Sequence, residues 1–519
     1  VPEGVSITRL DNGNGRKKER CVVVDTSMPM PGIVYTHNNS LGNLVRALGE
    51  RLYKVPHGDD FVDPPRPVVF DCGDYADRVV SKMPCFDSPI SSDEFVCLYT
   101  GSKAKRYAAA AQNVALRGLY PSDSEISVFL KDEKICSWSK VDPAPRLISP
   151  RTPEYCLELG RFIKPIEHLL YKAVARVWKE VTIFKGLNFN DRGEELRKKW
   201  EKYQHPVAIG LDASRFDQHV SVEALNWEHS IYLRCYRGKN KYLKYLLSRQ
   251  LTNRGTAYID DHKVEYQVNG GRMSGDMNTA LGNCLIMTGL VYRYLQLRGL
   301  TASLANDGDD CVVIMERNNL PIFLEGLQEW FRTQGFTMKV EKPVFVFEEM
   351  EFCQCHPVWN GEQWTMCRNI HKALFTDSVH VGKTLDEILS IRYSIGECGI
   401  AWSRGVPVFG KFYQHILKTG VPHRSDTVQH KLMQHSGTYW NSKGCRSGTH
   451  SITSEARLSF ERAFHISPSE QLAIEELYAT LPVGDMRFSE SPIVYNASIP
   501  CCEYPLFISD SLNILVFGC

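Results

Sequence analysis

Apolar positions recur along this chain with two different periods, and each predicts its own kind of element. Leu41, Leu44, Val45, Leu48 and Leu52 fall on one face at helical spacing, which predicts a helix from Ser40 to Lys54. The same spacing predicts helices over about 154–178, 221–250 and 285–297, and helical patterns dominate from 384 to about 480. Short apolar runs closed by turn residues predict strands instead. They place a strand at 21–24, a buried strand at 207–211, a hairpin over 256–268 around Asp260-Asp261-His262-Lys263, and a second hairpin over 304–315. Pro64, Pro65 and Pro67 break the chain early, and a Pro-rich turn lies at 143–150. Beyond Pro482 the chain reads as extended, punctuated by Pro492, Pro500 and Pro505, and no repeat of solenoid length is present.

Composition narrows the class. The 519 residues suffice for about three domains, and 43% hydrophobic with 23% charged residues excludes wholesale disorder. Lys plus Arg number 61 against 60 for Asp plus Glu, a net charge of +1. A uniformly basic coat is therefore excluded, and any nucleic acid must be held in a local channel. The 17 cysteines are odd in number and scattered, which fits a reducing cytosol better than a secreted disulfide framework. No run of 18 apolar residues and no signal-peptide pattern occurs, so no segment is expected to span a membrane. Val1 in place of Met leads to the expectation of a fragment or the downstream part of a larger product.

The chemistry concentrates in carboxylates. Leu304-Ala305-Asn306 and Cys311-Val312-Val313-Ile314-Met315 flank Asp307-Gly308-Asp309-Asp310, and Asp-Gly between apolar runs is a strong turn signal. Asp309 and Asp310 are expected just past the turn, on opposite faces of a strand, one meeting a metal while the other supports it. An isolated Gly-Asp-Asp is more often an acidic surface turn. The chain holds its own control in Gly58-Asp59-Asp60, followed by Phe61-Val62-Asp63-Pro64-Pro65 without a second apolar run and so read as a loop. The company of the second copy is different. Val207-Ala208-Ile209-Gly210-Leu211-Asp212 is a strand ending in a carboxylate, and Asp217 follows five positions on. A carboxylate at a strand end and another at a hairpin tip can converge at one sheet edge, which suits two Mg²⁺ ions about 3.5–4 Å apart.

Between these acids lies Gly270-Gly271-Arg272-Met273-Ser274-Gly275-Asp276-Met277-Asn278-Thr279-Ala280-Leu281-Gly282-Asn283. Its glycines permit close backbone approach. Thr279 and Asn283, four apart, share a helical face and point with Ser274 towards a common site, with the hydroxyl and amide groups that reading a ribose requires. The competing reading is a Gly-rich turn with a capped helix. In this order and spacing, Asp212…Asp217, Ser274-Gly275…Thr279…Asn283 and Gly308-Asp309-Asp310 resemble motifs A, B and C of viral RNA-dependent RNA polymerases. The wording is nearest the tombusvirus family, especially its carmovirus-like replicases. Supporting strings are Asp142-Pro143-Ala144-Pro145-Arg146-Leu147-Ile148-Ser149-Pro150-Arg151, Leu159-Gly160-Arg161-Phe162-Ile163-Lys164-Pro165-Ile166-Glu167-His168 and Glu351-Phe352-Cys353-Gln354-Cys355-His356-Pro357, so the likeness covers about 35 to 480.

The resemblance implies an α+β right hand with an antiparallel palm sheet and a mostly helical thumb. It implies an N-terminal extension and fingers over 1–205 (motifs G and F), palm over 206–220 (motif A), a fingers insertion over 221–269, palm over 270–371 (motifs B to E), and thumb and tail over 372–519. It makes 131–151 motif F. Arg146 and Arg151 flank rigid prolines, which keeps their forks from collapsing onto neighbouring acids, and Arg suits triphosphate oxygens. Lys131, Lys134 and Lys140 add positive potential, diluted by Asp132, Glu133 and Asp142, and a solvated charged loop is the competing reading. Gly101-Ser102-Lys103-Ala104-Lys105-Arg106-Tyr107 stands ahead of an Ala-rich helix in the place of motif G. There Lys103, Lys105 and Arg106 would track template phosphates, Tyr107 could stack on a base, and Gly275 would join the RNA path. The run Arg192…Arg197-Lys198-Lys199…Lys202 is read as a solvated helical face because glutamates interleave it.

Lys339 and Lys342, in a motif D-like string, are both candidates for the acid that protonates pyrophosphate, and the sequence does not choose between them. Cys353, Cys355 and His356 have no second ligand pair at zinc spacing and fall in the motif E-like hairpin as structural residues. The sequons at Asn38 and Asn496 carry no weight in a cytosolic enzyme. The expected function is RNA-directed RNA polymerisation for a positive-strand RNA virus. Asp212, Asp309 and Asp310 hold Mg²⁺ (or Mn²⁺), and Arg146, Arg151, Asp217, Ser274, Thr279 and Asn283 bind the nucleotide. A reverse transcriptase and an inactive RNA-binding scaffold are the rivals; the first usually has a bulky side chain where Asp217 stands. The resemblance further implies RNA template and product, nucleoside triphosphates, a membrane-anchored replicase protein, host factors, and membrane-associated sites in the host cytoplasm. It also implies primer-independent starts, with the thumb or the tail aromatics Phe488, Tyr495, Tyr504 and Phe507 as a platform.

Overall fold

The structure is a computed structural model that describes residues 1–10, 22–25, 28, 34–136, 142–238, 240–381, 384–434, 436–445, 448, 450–484 and 486–488. At its centre four strands lie side by side in the order Ser303–Asp307, Asp310–Glu316, Pro206–Ala213, Met338–Val340, each antiparallel to its neighbour. Alternation explains why the two longer strands read as nearly continuous apolar runs: both faces are covered. Val207, Ile209, Leu211, Val313 and Met315 enter a core with the helices Pro153–Trp178, Val222–Arg234 and Thr279–Arg298. Ala208, Ala305, Val312 and Ile314 enter a second core with the Phe189–Trp200 helix, the Cys355–Trp359/Trp364–Arg368 hairpin and the C-terminal helices.

The Pro153–Trp178 helix starts where its sequence says it should. Thr152 Oγ1 accepts from the Tyr155 N–H at 3.3 Å, Pro153 opens the first turn, and Lys179 closes the helix at φ +59°. On one flank, Val5–Arg9, His262–Asn269, Thr252–Ile259 and Ile126–Ser127 form a second sheet, antiparallel except at its last pair. A third sheet joins distant parts of the chain: Val22–Asp25 lies between Val379–Val381 and Met486–Phe488. Among the described residues no helix is long and apolar enough to cross a membrane.

Several expectations shift. The 221–250 helix is two, Val222–Arg234 and Lys241–Ser248, interrupted near Gly238 at φ +69°. The expected 285–297 helix begins at Thr279. Gly58-Asp59-Asp60 is not a loop: it turns a short hairpin, Val55–His57 with Asp60–Val62, in the same His57↔Asp60 register that pairs Asp307 with Asp310. Asp309 lies in the two-residue turn with Gly308 rather than past it, so strand alternation does not govern its direction. Cys21, Lys140, Tyr495, Asn496, Tyr504 and Phe507 lie outside the described residues.

Candidate active site

The central sheet ends in a row of charges. Asp307 pairs with Asp310, Asp310 with Asp212, and Asp212 with Lys339, and directly opposed residues of antiparallel strands share a face. Three carboxylates and an ammonium group therefore stand side by side across four strands, with Asp309 at the adjoining turn. Asp307 is neutralised by an ion pair with Lys185 and another with Arg192 at 2.6 Å, so its carboxyl is held below its usual range despite burial. Asp310 has no such counter-charge. Desolvation at the base of the cleft, then Asp309, Asp212 and Asp307, push it up to about 6, although its tip opens to the cleft. Desolvation also raises Asp309, with Lys185 opposing and Asp212 reinforcing.

Hard oxygen ligands crowded against like charge are what a divalent cation takes and relieves. Among the described residues no group of three or more His, Cys, Asp or Glu side chains is arranged to hold a metal ion by itself.

Beside the row lies a cavity of about 390 Å³ lined by Asp309, Asp217, Ser274 and five cations, Arg51, Lys131, Arg146, Arg215 and Arg272. Its polarity is divided between two carboxylates and a majority of cations. Burial, then Arg215 and Arg146, lower the Arg51 guanidinium to about 10. Arg146 is 57% exposed and meets Glu133 at 3.4 Å, so its flanking prolines do not wholly keep it from acids. Asn283 Nδ2 donates to Asp217 Oδ1 at 2.9 Å, and desolvation holds the Asp217 carboxyl above its usual range.

Other expected ligands are placed differently. Arg151 does not reach the cavity: its buried guanidinium is ion-paired with Asp276 and donates to Asn253 Oδ1 at 2.5 Å and the Ser124 carbonyl. It is corrected from a phosphate ligand to an internal tie, because its donors are consumed by partners distant in sequence. Gly275 lies close against the neighbouring segment, since a Cβ there would stand 2.5 Å from Pro150 Cα. Its bareness lets the 270–283 loop lie against 149–150, where the Ser149 N–H donates to Ser274 Oγ at 3.0 Å. Thr279 Oγ1 donates to the Met273 carbonyl at 2.7 Å, holding the loop. Lys103, Lys105 and Arg106 lie within the Gly101–Arg117 helix rather than ahead of it, and Tyr107 is buried against Phe95 and Tyr99 instead of offering a stacking face. Lys103 sits 4.5 Å over the Tyr99 ring.

The basic run on the Phe189–Trp200 helix is not a uniformly solvated face. Arg192 and Lys199, seven apart, point inward to Asp307 and Glu180, and burial pulls the Lys199 ammonium down to about 8. Lys339 is in register with Asp212, whereas Lys342 lies beyond the end of Met338–Val340. Sequence reasoning missed Arg51, Arg215, Lys185 and Asp307. Arg215 had a signal, standing between Asp212 and Asp217; Arg51 had none. It assigned no role to Arg272 or Glu228, the ion pair behind Asn283. Cys355 and His356 lie in the Cys355–Trp359 strand, where His356 meets Glu351 at 3.5 Å.

A family model described as viral RNA dependent RNA polymerase matches residues 9–483. The RNA-directed RNA polymerase of tobacco necrosis virus (strain A) is 41% identical over 452 residues, 86% of this chain and 62% of that protein. That of cucumber necrosis virus is 39% identical over 486 residues, covering 92% and 58%. That of tomato bushy stunt virus (strain Cherry) is 39% identical over 476 residues, covering 91% and 57%. The chain thus spans about three-fifths of the length of these relatives. With the acid row, the divided cavity and a match running through nearly the whole described chain, the protein belongs to the viral RNA-dependent RNA polymerase family, on the branch of the tombusvirus-like replicases.

Proposed function

We propose that this chain is the catalytic portion of an RNA-directed RNA polymerase of a positive-strand RNA virus. The observation that carries the reading is the Asp310–Asp212–Lys339 row beside a cavity whose lining combines two carboxylates with several arginines. Asp212 and Asp309, with Asp310 beside them, would hold Mg²⁺ or Mn²⁺; bound there, such ions activate a 3′-hydroxyl and neutralise phosphate charge. The chain's own residues supply the rest. Arg146, Arg51 and Arg215 present forks to the triphosphate, and the Arg146–Glu133 contact at 3.4 Å is loose enough for a phosphate to displace. Asp217 and Asn283 read the ribose. Lys339 is the better placed donor to pyrophosphate, since it stands opposite Asp212 and Lys342 does not.

In this reading the central sheet is the palm, the sheet containing Thr252–Ile259 belongs to the fingers, and the helices after residue 384 form the thumb. Lys103, Lys105 and Arg106, exposed along the Gly101–Arg117 helix, line the template path. Starts are primer-independent, with a platform from the thumb or tail. A membrane-anchored replicase protein and host factors complete the assembly at membrane-associated sites in the host cytoplasm. The test is incorporation of labelled ribonucleotides on an RNA template, with and without an annealed primer. Preference for deoxynucleotides would favour a reverse transcriptase, and RNA binding without synthesis would favour a scaffold.

A further inference from the structure

Asn283 serves Asp217 only if its amide is held one way round. Its Nδ2 donates to Asp217 Oδ1 at 2.9 Å, and its Oδ1 accepts from Arg272 Nε at 2.9 Å. Arginine has donors and no acceptor, an ionised carboxylate acceptors and no donor, so the two neighbours leave a single orientation. Arg272 is itself held by an ion pair with Glu228 in which both side chains are 0% exposed. Glu228, on the Val222–Arg234 helix, also accepts from Tyr232 at 2.7 Å and Asn278 at 2.8 Å. Gly282 faces the same pair, and a Cβ there would collide with Glu228 Oε1 and Arg272 Nη2.

A fully buried ion pair is weak evidence for stability, because desolvation offsets the attraction; its clearest effect here is to aim one amide. We propose that Glu228 and Arg272 are positioning residues for sugar selection, acting through Asn283 on the pocket that receives the nucleotide 2′ position. This rests on the polymerase reading above and sharpens it. With its oxygen engaged by Arg272, Asn283 meets a 2′-hydroxyl as a donor, and Asp217 meets it as an acceptor. The hydroxyl is thus read in both directions. A 2′-fluoro group satisfies the amide alone, and a 2′-hydrogen satisfies neither.

The experiment compares kcat/KM for ATP, 2′-fluoro-ATP and dATP on one RNA template, using the full chain and the variants Arg272→Lys, Glu228→Gln and Gly282→Ala. Arg272→Lys keeps the charge pair but loses the fork, and Gly282→Ala displaces the pair while keeping both charges. Each ratio is taken within one sample, so a partly folded preparation cancels. The wild type should prefer ATP over the fluoro analogue and that over dATP. In all three variants the ATP/dATP ratio should fall by roughly tenfold or more, the worth of one hydrogen bond to a charged group. For any variant too slow to follow, thermal stabilisation by ATP against dATP reads the same preference without turnover. A merely structural pair would lower all rates together, and an unchanged ratio in the variants of an active wild type overturns this inference alone. A wild type that incorporates no ribonucleotide overturns the polymerase reading and this inference with it.

Discussion

Among the described residues, Asp212, Asp309 and Asp310 are crowded at a sheet end with no direct ion pair of the kind that Lys185 and Arg192 give Asp307. Their cost is borne for chemistry rather than for the fold, so Asp212→Ala and Asp309→Ala should each abolish nucleotide incorporation while circular dichroism and RNA binding change little. Near-normal incorporation by either variant would refute the metal assignment; Asp59→Ala, on its exposed hairpin, should leave activity close to wild type. The pH dependence has a definite sign. Asp310 is raised from an ordinary 3.8 to about 6, so between those values the folded protein binds more protons than the unfolded chain, and metal-free stability falls as pH rises through that window. Asp310→Asn removes the crowding. Urea unfolding in a chelator should find the variant more stable than wild type at pH 7 and the difference shrinking towards pH 4; a constant difference would mean that crowding is not the cause.

At the scale of elements, the site depends on how the loop 270–283 is pressed against 149–151. Arg151 and Asp276 clamp the two segments from inside, and Gly275 allows them to touch. Removing one partner of a buried ion pair costs about 3–5 kcal/mol, so Arg151→Met should lower the unfolding free energy by that order. Activity should fall with it as the loop loosens, whereas a loss of nucleotide affinity at unchanged unfolding free energy would return Arg151 to the phosphate site. Gly275→Ala tests the same contact sterically. Its Cβ would oppose backbone at 2.5 Å rather than a flexible tip, so the loop must move, and activity should fall even though no functional group is lost.

Across the whole molecule, segments far apart in sequence close on one another. Lys134, from the stretch just before Arg146, is half-buried and donates to the carbonyls of Thr376 and Val379, the latter at 2.9 Å, and desolvation lowers its ammonium pKa. Val22–Asp25 and Met486–Phe488 add to the Val379–Val381 strand at the same place. Lys134→Met should loosen this junction: amide exchange over 376–381 should accelerate, and yield should fall more on long templates than on short ones. Equal losses at every length would show that Lys134 has no part in holding the two sides together. A tail deletion meant to probe initiation should begin after Phe488, because removing 483–519 also strips the Met486–Phe488 strand from this sheet.

What the sequence determined by itself is local. Alternation and helical spacing marked the central strands, the Pro153–Trp178 helix and the C-terminal helices, since period and capping act within a few residues. The order of Asp212, Ser274, Asn283 and Asp310 carried the family and, with it, the chemistry proposed above. The tertiary structure decided which side chains face the cavity. Arg146 and Arg151 look alike in sequence, each beside a proline, yet Asp276, 125 residues away, draws one inside and leaves the other in the pocket. The two Gly-Asp-Asp turns make the same point. Both close a hairpin in the same register, because a turn is specified by the few residues that make it. Only one stands beside Asp212 and Lys339, because strand neighbours are chosen by burial of faces along the whole sheet, and no four-residue window contains that information.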